Sequence, residues 1–230
     1  MARYYRLPFG DVLALEKATP FPPLNHALKE PNGLLAIGGD LSPERLLSAY
    51  QQGIFPWFSQ DEPICWYSPD PRMVLFPAEL KVSQSLKKTL KSTPLTVRYN
   101  SAFREVMQAC AITKRAGQGG TWITAEMIEA YCALHEQGYA ISAETWRDNV
   151  LVGGCYGIRI GKMFYGESMF HHVKDASKIA FVNLVRQLHG ESVGLIDCQM
   201  KTDHLASLGA REISRTTFAQ ILAKLLSDKT

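Results

Sequence analysis

Three apolar segments of strand-like composition follow one another in the second half of the chain, and they constrain the fold more than any other feature. They are YAISAETWR (139–147), VLVGGCYGI (150–158) and KMFYGESMF (162–170). Only residues 148–149 and 159–161 separate them, which is the spacing of short hairpin connections. The sequence therefore predicts an antiparallel meander of three strands.

A helix and a buried strand should follow this meander. Asp175 is expected to cap the helix, and the strand is GLIDCQ (194–199). The apolar face of the helix is predicted to contain Ile179, Val182, Val185 and Leu188. Shorter helices are expected at 203–208 and 216–227.

Upstream of the meander, strands and helices alternate. Strands are predicted at 73–76 and 95–99, helices at 82–91 and 101–112, and a further helix from its Thr124 cap to Gln137. The chain should therefore be α+β, with a mixed, mainly antiparallel sheet. This element order is that of an N-acetyltransferase-like (GNAT-like) domain, in which acyl donors bind where two central strands splay apart.

The first 70 residues are rich in proline and glycine. One helix is expected there, with Ser42 as its cap, Pro43 at its first position and Gly53 at its end. The aromatic segment GIFPWFSQDEPICWYSP (53–69) contains too many prolines for a helix or a central strand, so its rings should fill a core or stack on a flat ligand. We predict a small turn-rich domain at 1–70 and a second domain at 71–230.

Positive charge is concentrated between Lys81 and Arg115, where Glu105 is the one acidic residue. The basic residues are Lys81, Lys87, Lys88, Lys91, Arg98, Arg104, Lys114 and Arg115. A segment with one sign of charge suits a polyanion such as a nucleic acid. A basic surface that keeps the protein in solution is an equally good interpretation.

Cysteine usage and the amino terminus indicate a cytoplasmic location. The five cysteines are odd in number and form no C-x-x-C pair, which argues against a disulfide framework and a zinc knuckle. No stretch approaches the roughly 20 apolar residues of a membrane span, and the amino terminus lacks the apolar region of a signal peptide. We expect no membrane partner.

Two acidic positions stand out because each interrupts an apolar strand. Asp197 and Gln199 are two residues apart, so a regular strand would point both to one face, where Asp197 could serve as a general base. The alternative is an Asp that caps the helix near Thr202. Glu167 interrupts its strand in the same way, and taken alone it is as easily structural as functional.

Other common chemistries find less support. Ser168 in GESMF (166–170) lacks the second glycine of a G-x-S-x-G elbow, so we exclude a serine hydrolase. His171 and His172 do not have H-E-x-x-H spacing, so no metal is expected. KRAGQG (114–119) begins with Lys and is not followed directly by a helix, unlike a pyrophosphate loop, which disfavours coenzyme A.

A series of blocks, in order between residues 29 and 213, resembles leucyl/phenylalanyl-tRNA protein transferases. The blocks are EPNGLLAIGGDLSPERLLSAYQQGIFPWF, WYSPDPR, GTWIT, LVGGCYG, GESMF, ASK and LIDCQ followed by DHLASLGA. The resemblance implies transfer of Leu or Phe, less well Met, from aminoacyl-tRNA to the α-amine of proteins that begin with Lys or Arg, marking them for N-end-rule degradation. An aminoacyl ester is already activated, so neither a cofactor nor a metal is implied. The partners would be Leu-tRNA, Phe-tRNA and the acceptor protein, and the chain would act as a monomer.

The resemblance also implies roles for particular residues. Trp57 and Trp122 would hold the terminal adenosine, which makes GIFPWF (53–58) a docking surface for a flat base. The donor side chain would enter an apolar pocket formed by Cys155, Phe164, Phe181, Leu184, Leu188 and Ile196. Phosphates of the tRNA backbone would contact Lys81, Lys87, Lys88, Lys91 and Arg98.

For the reaction itself, we expect Asp197 and Gln199 to orient the acceptor and draw a proton from its α-ammonium, with Asp197 acting directly or through Gln199. Glu167 would hold the aminoacyl end or the basic side chain of the acceptor. Two alternatives remain: an acetyl-CoA-dependent N-acetyltransferase and a non-catalytic RNA-binding module. The missing pyrophosphate loop argues against the first, and the Asp197/Gln199 pair argues against the second.

Overall fold

The structure, a computed structural model, describes residues 3–113 and 121–227 of the 230-residue chain. Its first five strands are β1 (Arg3–Leu7), β2 (Gly10–Leu15), β3 (Leu34–Gly38), β4 (Phe55–Pro56) and β5 (Cys65–Tyr67). They form one sheet in the order β1-β2-β3-β5-β4. The turn-rich lobe is therefore built on a sheet that the sequence did not predict.

The aromatic segment takes part in this sheet, so the expectation that it cannot form a central strand is wrong. β5 lies between β3 and β4, and it begins two residues after Pro63. Pro56 belongs to β4, which lies at the edge of the sheet, where a missing N–H is tolerated. Pro63 and Pro69 thus lie outside β5, and Pro56 pairs with Trp66 from the edge strand β4, so none of the three interrupts the sheet.

The side chains of this segment divide between the core and the surface. Phe55, Phe58 and Trp66 are buried, and Trp66 Nε1 donates to the Gly38 carbonyl oxygen at 2.8 Å. Trp57 is 37% exposed. Phe55 and Phe58 belong to the buried core, so GIFPWF is not exposed throughout, and its role as a docking surface stays a prediction.

The helix predicted at Ser42 is confirmed as α1 (Pro43–Gln51). Ser42 Oγ accepts from the Arg45 N–H, and Pro43 occupies the first helical position. Gly53 follows the helix with a φ of +75°, a conformation that glycine adopts without strain. The helix buries Leu46, Ala49 and Tyr50.

A second sheet contains the remaining strands: β6 (Arg72–Leu75), β7 (Thr96–Tyr99), β8 (Ala140–Arg147), β9 (Val150–Ile160), β10 (Met163–His171), β11 (Leu195–Gln199) and β12 (Arg211–Ile213). Their order is β12-β6-β11-β10-β9-β8-β7. β10 and β11 pair in parallel, and the other neighbours pair antiparallel. This confirms the predicted meander and the α+β, acetyltransferase-like class with a mainly antiparallel sheet.

Within the described residues, six α-helices accompany the second sheet: α2 (Gln84–Ser92), α3 (Phe103–Ile112), α4 (Ala125–Glu136), α5 (Ala176–Gly190), α6 (Asp203–Ser207) and α7 (Arg215–Ser227). All six were predicted to within a few residues. Thr124 caps α4 as expected, because its Oγ1 accepts from the Met127 N–H at 3.2 Å. None of the helices in these ranges combines the length and apolar character needed to cross a membrane.

One predicted cap is wrong. Asp175 precedes α5, but its side chain makes no capping hydrogen bond. Its backbone has a φ of 63°, and its carboxylate pairs instead with Lys178 Nζ at 3.3 Å. The left-handed backbone replaces the extended geometry that side-chain capping requires.

Alternate residues of the second sheet pack into two different cores, as the pleat requires. Phe164 and Ile196 belong to the cluster that contains α5, whereas Tyr165 and Leu195 belong to the cluster that contains α3, α4 and the first sheet. The sheet is therefore covered on both faces. The predicted division at residue 70 stays a prediction.

Candidate active site

The parallel pairing of β10 and β11 is short. It joins residues 163–165 to residues 195–197, and both strands are irregular beyond that point. β10 bulges between Gly166 and Ser168, and β11 bulges between Asp197 and Gln199. A bulge bends its strand and changes the direction of a side chain, so the two strands separate into a fork.

A cavity of about 700 Å³ lies at this fork. Its wall contains most of the residues that the sequence singled out: Trp57, Trp122, Cys155, Phe164, Glu167, Phe181, Leu184, Ile196 and Gln199. Leu188 lies behind the wall, in the same buried cluster as Phe181. Asp197 is fully buried and does not line the cavity. The structure thus brings together residues of the second sheet and α5 with Trp57, which follows β4 of the first sheet, and Trp122, which precedes α4.

One part of the cavity is apolar. Phe164, Phe181, Leu184 and Ile196 line it, each 3% exposed or less. Cys155 completes this wall, and burial raises the pKa of its thiol well above the ordinary value, so the group is neutral. An apolar side chain can enter this part without leaving a charge unpaired.

Aromatic and basic residues also line the cavity. Trp57 contacts Tyr67 edge to face, with ring centroids 5.5 Å apart, and Trp122 is partly buried. Lys201 and His204 line another part of the wall. Burial, together with the charge of Lys178, lowers the pKa of His204, which favours the neutral imidazole.

Glu167 is the extra residue of the β10 bulge and is half-buried. Tyr50 Oη donates to its Oε1 at 2.7 Å, and Tyr131 Oη donates to its Oε2 at 3.4 Å. The two phenol oxygens are also within hydrogen-bond distance of each other, and because Tyr131 has one hydroxyl proton, it donates at any moment either to Tyr50 Oη or to Glu167. Burial raises the pKa of Glu167 to about 7, against the opposing effect of the hydrogen bond from Tyr50. The carboxyl group therefore changes its charge near neutral pH.

Asp197 has a different environment. Arg72 Nε donates to its Oδ1 at 2.8 Å and Arg72 Nη2 to its Oδ2 at 2.6 Å, and both side chains are buried. Arg72 also donates to the Gly53 carbonyl oxygen and lies over the rings of Phe55 and Phe218. The carboxylate is thus held by a bidentate ion pair, and it does not cap the helix near Thr202.

Gln199 reaches the cavity for a reason that regular strand geometry does not provide. The bulge breaks the alternation after Asp197, and Gln199 has a φ of 53°. The expectation that period-two geometry places both side chains on one face is therefore wrong. The Gln199 N–H donates to Asp197 Oδ1 at 3.0 Å. Its Nε2 is buried without a hydrogen-bond partner in the described residues.

The basic residues assigned to tRNA lie outside this cavity. Lys81, Lys87, Lys88, Lys91 and Arg98 are all exposed. Lys81 and Lys87 line a separate concavity of about 490 Å³ with Arg186 and His189. Lys114, Arg115 and the KRAGQG segment (114–119) lie outside the described residues.

Sequence reasoning missed the three residues that hold the carboxyl groups of the site, Tyr50, Arg72 and Tyr131, and it also missed Lys201 and His204 of the cavity wall. A signal existed for Arg72, because it opens the buried strand β6 and must have an acceptor there. No comparable signal marked the tyrosines. Each lies on the buried face of a helix, where an aromatic ring is ordinary core.

Comparisons with known proteins agree with one another. The family described as leucyl/phenylalanyl-tRNA protein transferase matches residues 74–223, and the N-terminal domain of the same family matches residues 39–70. A leucyl/phenylalanyl-tRNA–protein transferase of Nitrosomonas eutropha is 66% identical over 207 residues, which are 90% of this chain and 88% of that protein. One from Chromobacterium violaceum is 63% identical over 88% of this chain and 86% of that protein.

Among solved structures, the crystal structure of FemX has a TM-score of 0.50 at 10% sequence identity. The alignment covers 79% of this chain and 71% of that chain. At this identity the likeness shows a shared fold alone.

Proposed function

Because the chain belongs to the leucyl/phenylalanyl-tRNA protein transferase family, we propose that the cavity at the fork holds the aminoacylated end of a tRNA while the amino terminus of a protein attacks its ester. The chain is an aminoacyltransferase that transfers Leu or Phe from tRNA to a protein amino terminus. One observation carries the assignment of the site. A single cavity is lined by two tryptophans, a buried apolar pocket and the polar groups of two strand bulges.

The terminal adenosine is assigned to Trp57 and Trp122. Every nucleobase has a flat face, and its stacking on an aromatic side chain contributes about 1–3 kcal/mol. Trp57 is exposed enough to offer its ring, and it is supported from one side by Tyr67. The other aromatic residues of the segment hold this platform in place from the core.

The donor side chain is assigned to the apolar part of the cavity. Cys155, Phe164, Phe181, Leu184 and Ile196 form its wall, and Leu188 supports it from behind. Leu, Phe and Met suit such a pocket because they are apolar and unbranched at Cβ. The shape of the pocket should discriminate only modestly between donor side chains, since one methylene contributes only about 1–3 kcal/mol to binding.

The ester carbonyl is assigned to Gln199. Its Nε2 is buried and has no partner in the described parts of the chain, so an acceptor oxygen from the substrate would satisfy it. Asp197 is a positioning residue in this scheme: it accepts from the Gln199 N–H and is itself held by Arg72. Asp197 does not contact the substrate amine in this scheme, because its carboxylate is fully buried.

The acceptor is proposed to be a protein that begins with Lys or Arg, which the transfer would mark for N-end-rule degradation in the cytoplasm. Glu167 supplies negative charge on the cavity wall, which favours a cationic amino terminus. The exposed cations Lys81, Lys87, Lys88, Lys91 and Arg98 are assigned to tRNA phosphates. All residues of this scheme come from one chain, so a monomer suffices.

The experiment supplies labelled Leu-tRNA and two peptides that differ only in beginning with Arg or Glu. Transfer to the Arg peptide alone is expected, and transfer to the Glu peptide would contradict the acceptor assignment. Binding of coenzyme A is measured by calorimetry in parallel. Heat of binding with coenzyme A together with no transfer from Leu-tRNA would favour an N-acetyltransferase.

A further inference from the structure

The position of Glu167 is the first observation. Within residues 3–113 and 121–227, it is the one carboxyl group on the cavity wall. It lies on the bulge where β10 leaves β11, next to the place where Gln199 reaches the cavity from the other strand. An amine that approaches an ester held by Gln199 therefore meets this carboxyl group.

The hydrogen bonds of Glu167 are the second observation. Its Oε1 accepts from Tyr50, and its Oε2 lies 3.4 Å from Tyr131 Oη, which donates either to it or to Tyr50; both phenols are neutral and fully buried. Such donors fix the position of a carboxylate without cancelling its charge. The two oxygens of Asp197, by contrast, both accept from the guanidinium of Arg72. Of the two carboxylates at the fork, only Glu167 is free to receive a proton from the cavity.

Resting on the transfer reaction proposed above, we propose that Glu167, held by Tyr50 and Tyr131, accepts the proton that the α-ammonium of the acceptor loses. The neutral amine then attacks the ester carbon, and a bond forms between nitrogen and carbon. The bond from carbon to the ribose oxygen breaks, and that oxygen keeps the electron pair and receives the second proton of the amine. Glu167 finally releases its proton to solvent.

Electrostatics agree with this role. Charged and titratable groups face Glu167 from each neighbouring element: Tyr50 on α1, Tyr131 on α4, Asp197 on β11 and Arg72 on β6. Burial outweighs the other effects and raises the pKa of Glu167 to about 7. An α-amino group has a pKa of about 7.7–8.0, and a general base is most effective when its pKa lies near the working pH. Above about pH 7 the carboxyl group is ionised and can accept a proton.

The test measures single-turnover transfer from saturating Leu-tRNA to an Arg peptide, from about pH 5.5 to about 8.5. The rate of the wild type should rise with a midpoint near 7. Glu167→Gln should lower the rate at pH 7 by at least about 100-fold and remove this midpoint. Its affinity for Leu-tRNA, measured by filter binding, should stay within about threefold of wild type, which shows that the cavity still forms.

Two further variants separate a proton acceptor from a structural role. Tyr50→Phe removes a hydrogen bond that lowers the pKa of Glu167, so the midpoint should move to higher pH. Asp197→Asn should slow transfer but keep a midpoint, which should move to lower pH because the negative charge of Asp197 raises the pKa of Glu167. If Glu167→Gln does not fold, the shift of the pH midpoint in Tyr50→Phe is sufficient to test the proposal.

Two outcomes would overturn the inference directly: a Glu167→Gln variant whose rate still rises with a midpoint near pH 7, and a Tyr50→Phe variant whose midpoint does not move. An Asp197→Asn variant whose rate no longer changes with pH would also overturn it. Failure of the proposed function would look different. The wild type would then transfer no Leu to the Arg peptide at any pH.

Discussion

At the scale of single residues, the site depends on two carboxyl groups whose surroundings differ. Asp197 is fully buried and ion-paired with Arg72, whereas Glu167 is half-buried and bonded to neutral phenols. A buried ion pair adds little stability compared with apolar residues of the same size, but removing one partner leaves an uncompensated charge. We therefore expect the pair to hold β6, β11 and the loop at Gly53 in register more than to strengthen the fold.

Arg72→Met tests this account of the pair. The variant should lower the free energy of unfolding by about 3–5 kcal/mol, because Asp197 is left buried without its cation. Chemical denaturation followed by circular dichroism measures the loss. The matched control is Arg72→Met combined with Asp197→Leu, which removes both charges and should recover most of the stability. If the free energy of unfolding of Arg72→Met alone lies within about 1 kcal/mol of that of the wild type, the Asp197 carboxylate has found another partner or water.

At the scale of elements, two bulges convert a regular sheet into a binding site. β9 supports the first bulge, since Gly157 pairs with Gly166 immediately before β10 departs from its register. A Cβ atom on Gly157 would lie 2.1 Å from the Tyr165 carbonyl oxygen and 2.5 Å from Phe164 Cζ. Glycine at this position therefore leaves room for the ring of Phe164, which lines the apolar part of the cavity.

Gly157→Ala should consequently impair both folding and the pocket. Overpacking of this kind costs about 1–3 kcal/mol, and displacement of Phe164 should raise the KM for Leu-tRNA and Phe-tRNA. Thermal unfolding and steady-state transfer measure the two effects. Gly190→Ala, at the end of α5, is the control, because no atom lies within 4 Å of its added Cβ. Equal melting temperatures for the two variants would contradict the packing argument.

At the scale of the whole molecule, the cavity and the exposed positive charges lie on different parts of the surface. The cavity wall is mainly apolar around one carboxyl group, whereas the cations of α2 and β7 lie outside it and are exposed. We propose that a tRNA whose end lies in the cavity contacts these exposed cations with its phosphates. Affinity from such contacts is electrostatic and falls with salt, because bound counterions are released.

Lys87→Ala combined with Lys88→Ala tests the assignment of this surface. Each phosphate contact contributes about 0.7–0.9 to the slope of log K against log salt, so the double variant should reduce the slope by about 1.5. Fluorescence titration of tRNA at several salt concentrations measures it. Lys17→Ala combined with Lys224→Ala removes the same charge from exposed positions outside the segment and should leave the slope unchanged. A slope that does not respond to the first pair would exclude these lysines from the interface.

The sequence was sufficient for elements whose signals are local. The period-two runs of the meander, the Ser42 and Thr124 caps and the apolar face of α5 each depend on neighbouring residues, and the structure contains them. Family blocks added the residues of the cavity wall, which no local pattern would have grouped. β4 and β5 of the first sheet were missed because they contain only two and three residues and lie among prolines.

Tertiary structure alone decided which carboxyl group faces the cavity. By sequence, Asp197 and Glu167 are alike, since each is an acid within an apolar strand. Arg72 lies 125 residues from Asp197, and Tyr50 lies 117 residues from Glu167. The charge state of a buried acid depends on such distant partners and on its loss of water, and neither is encoded in adjacent residues.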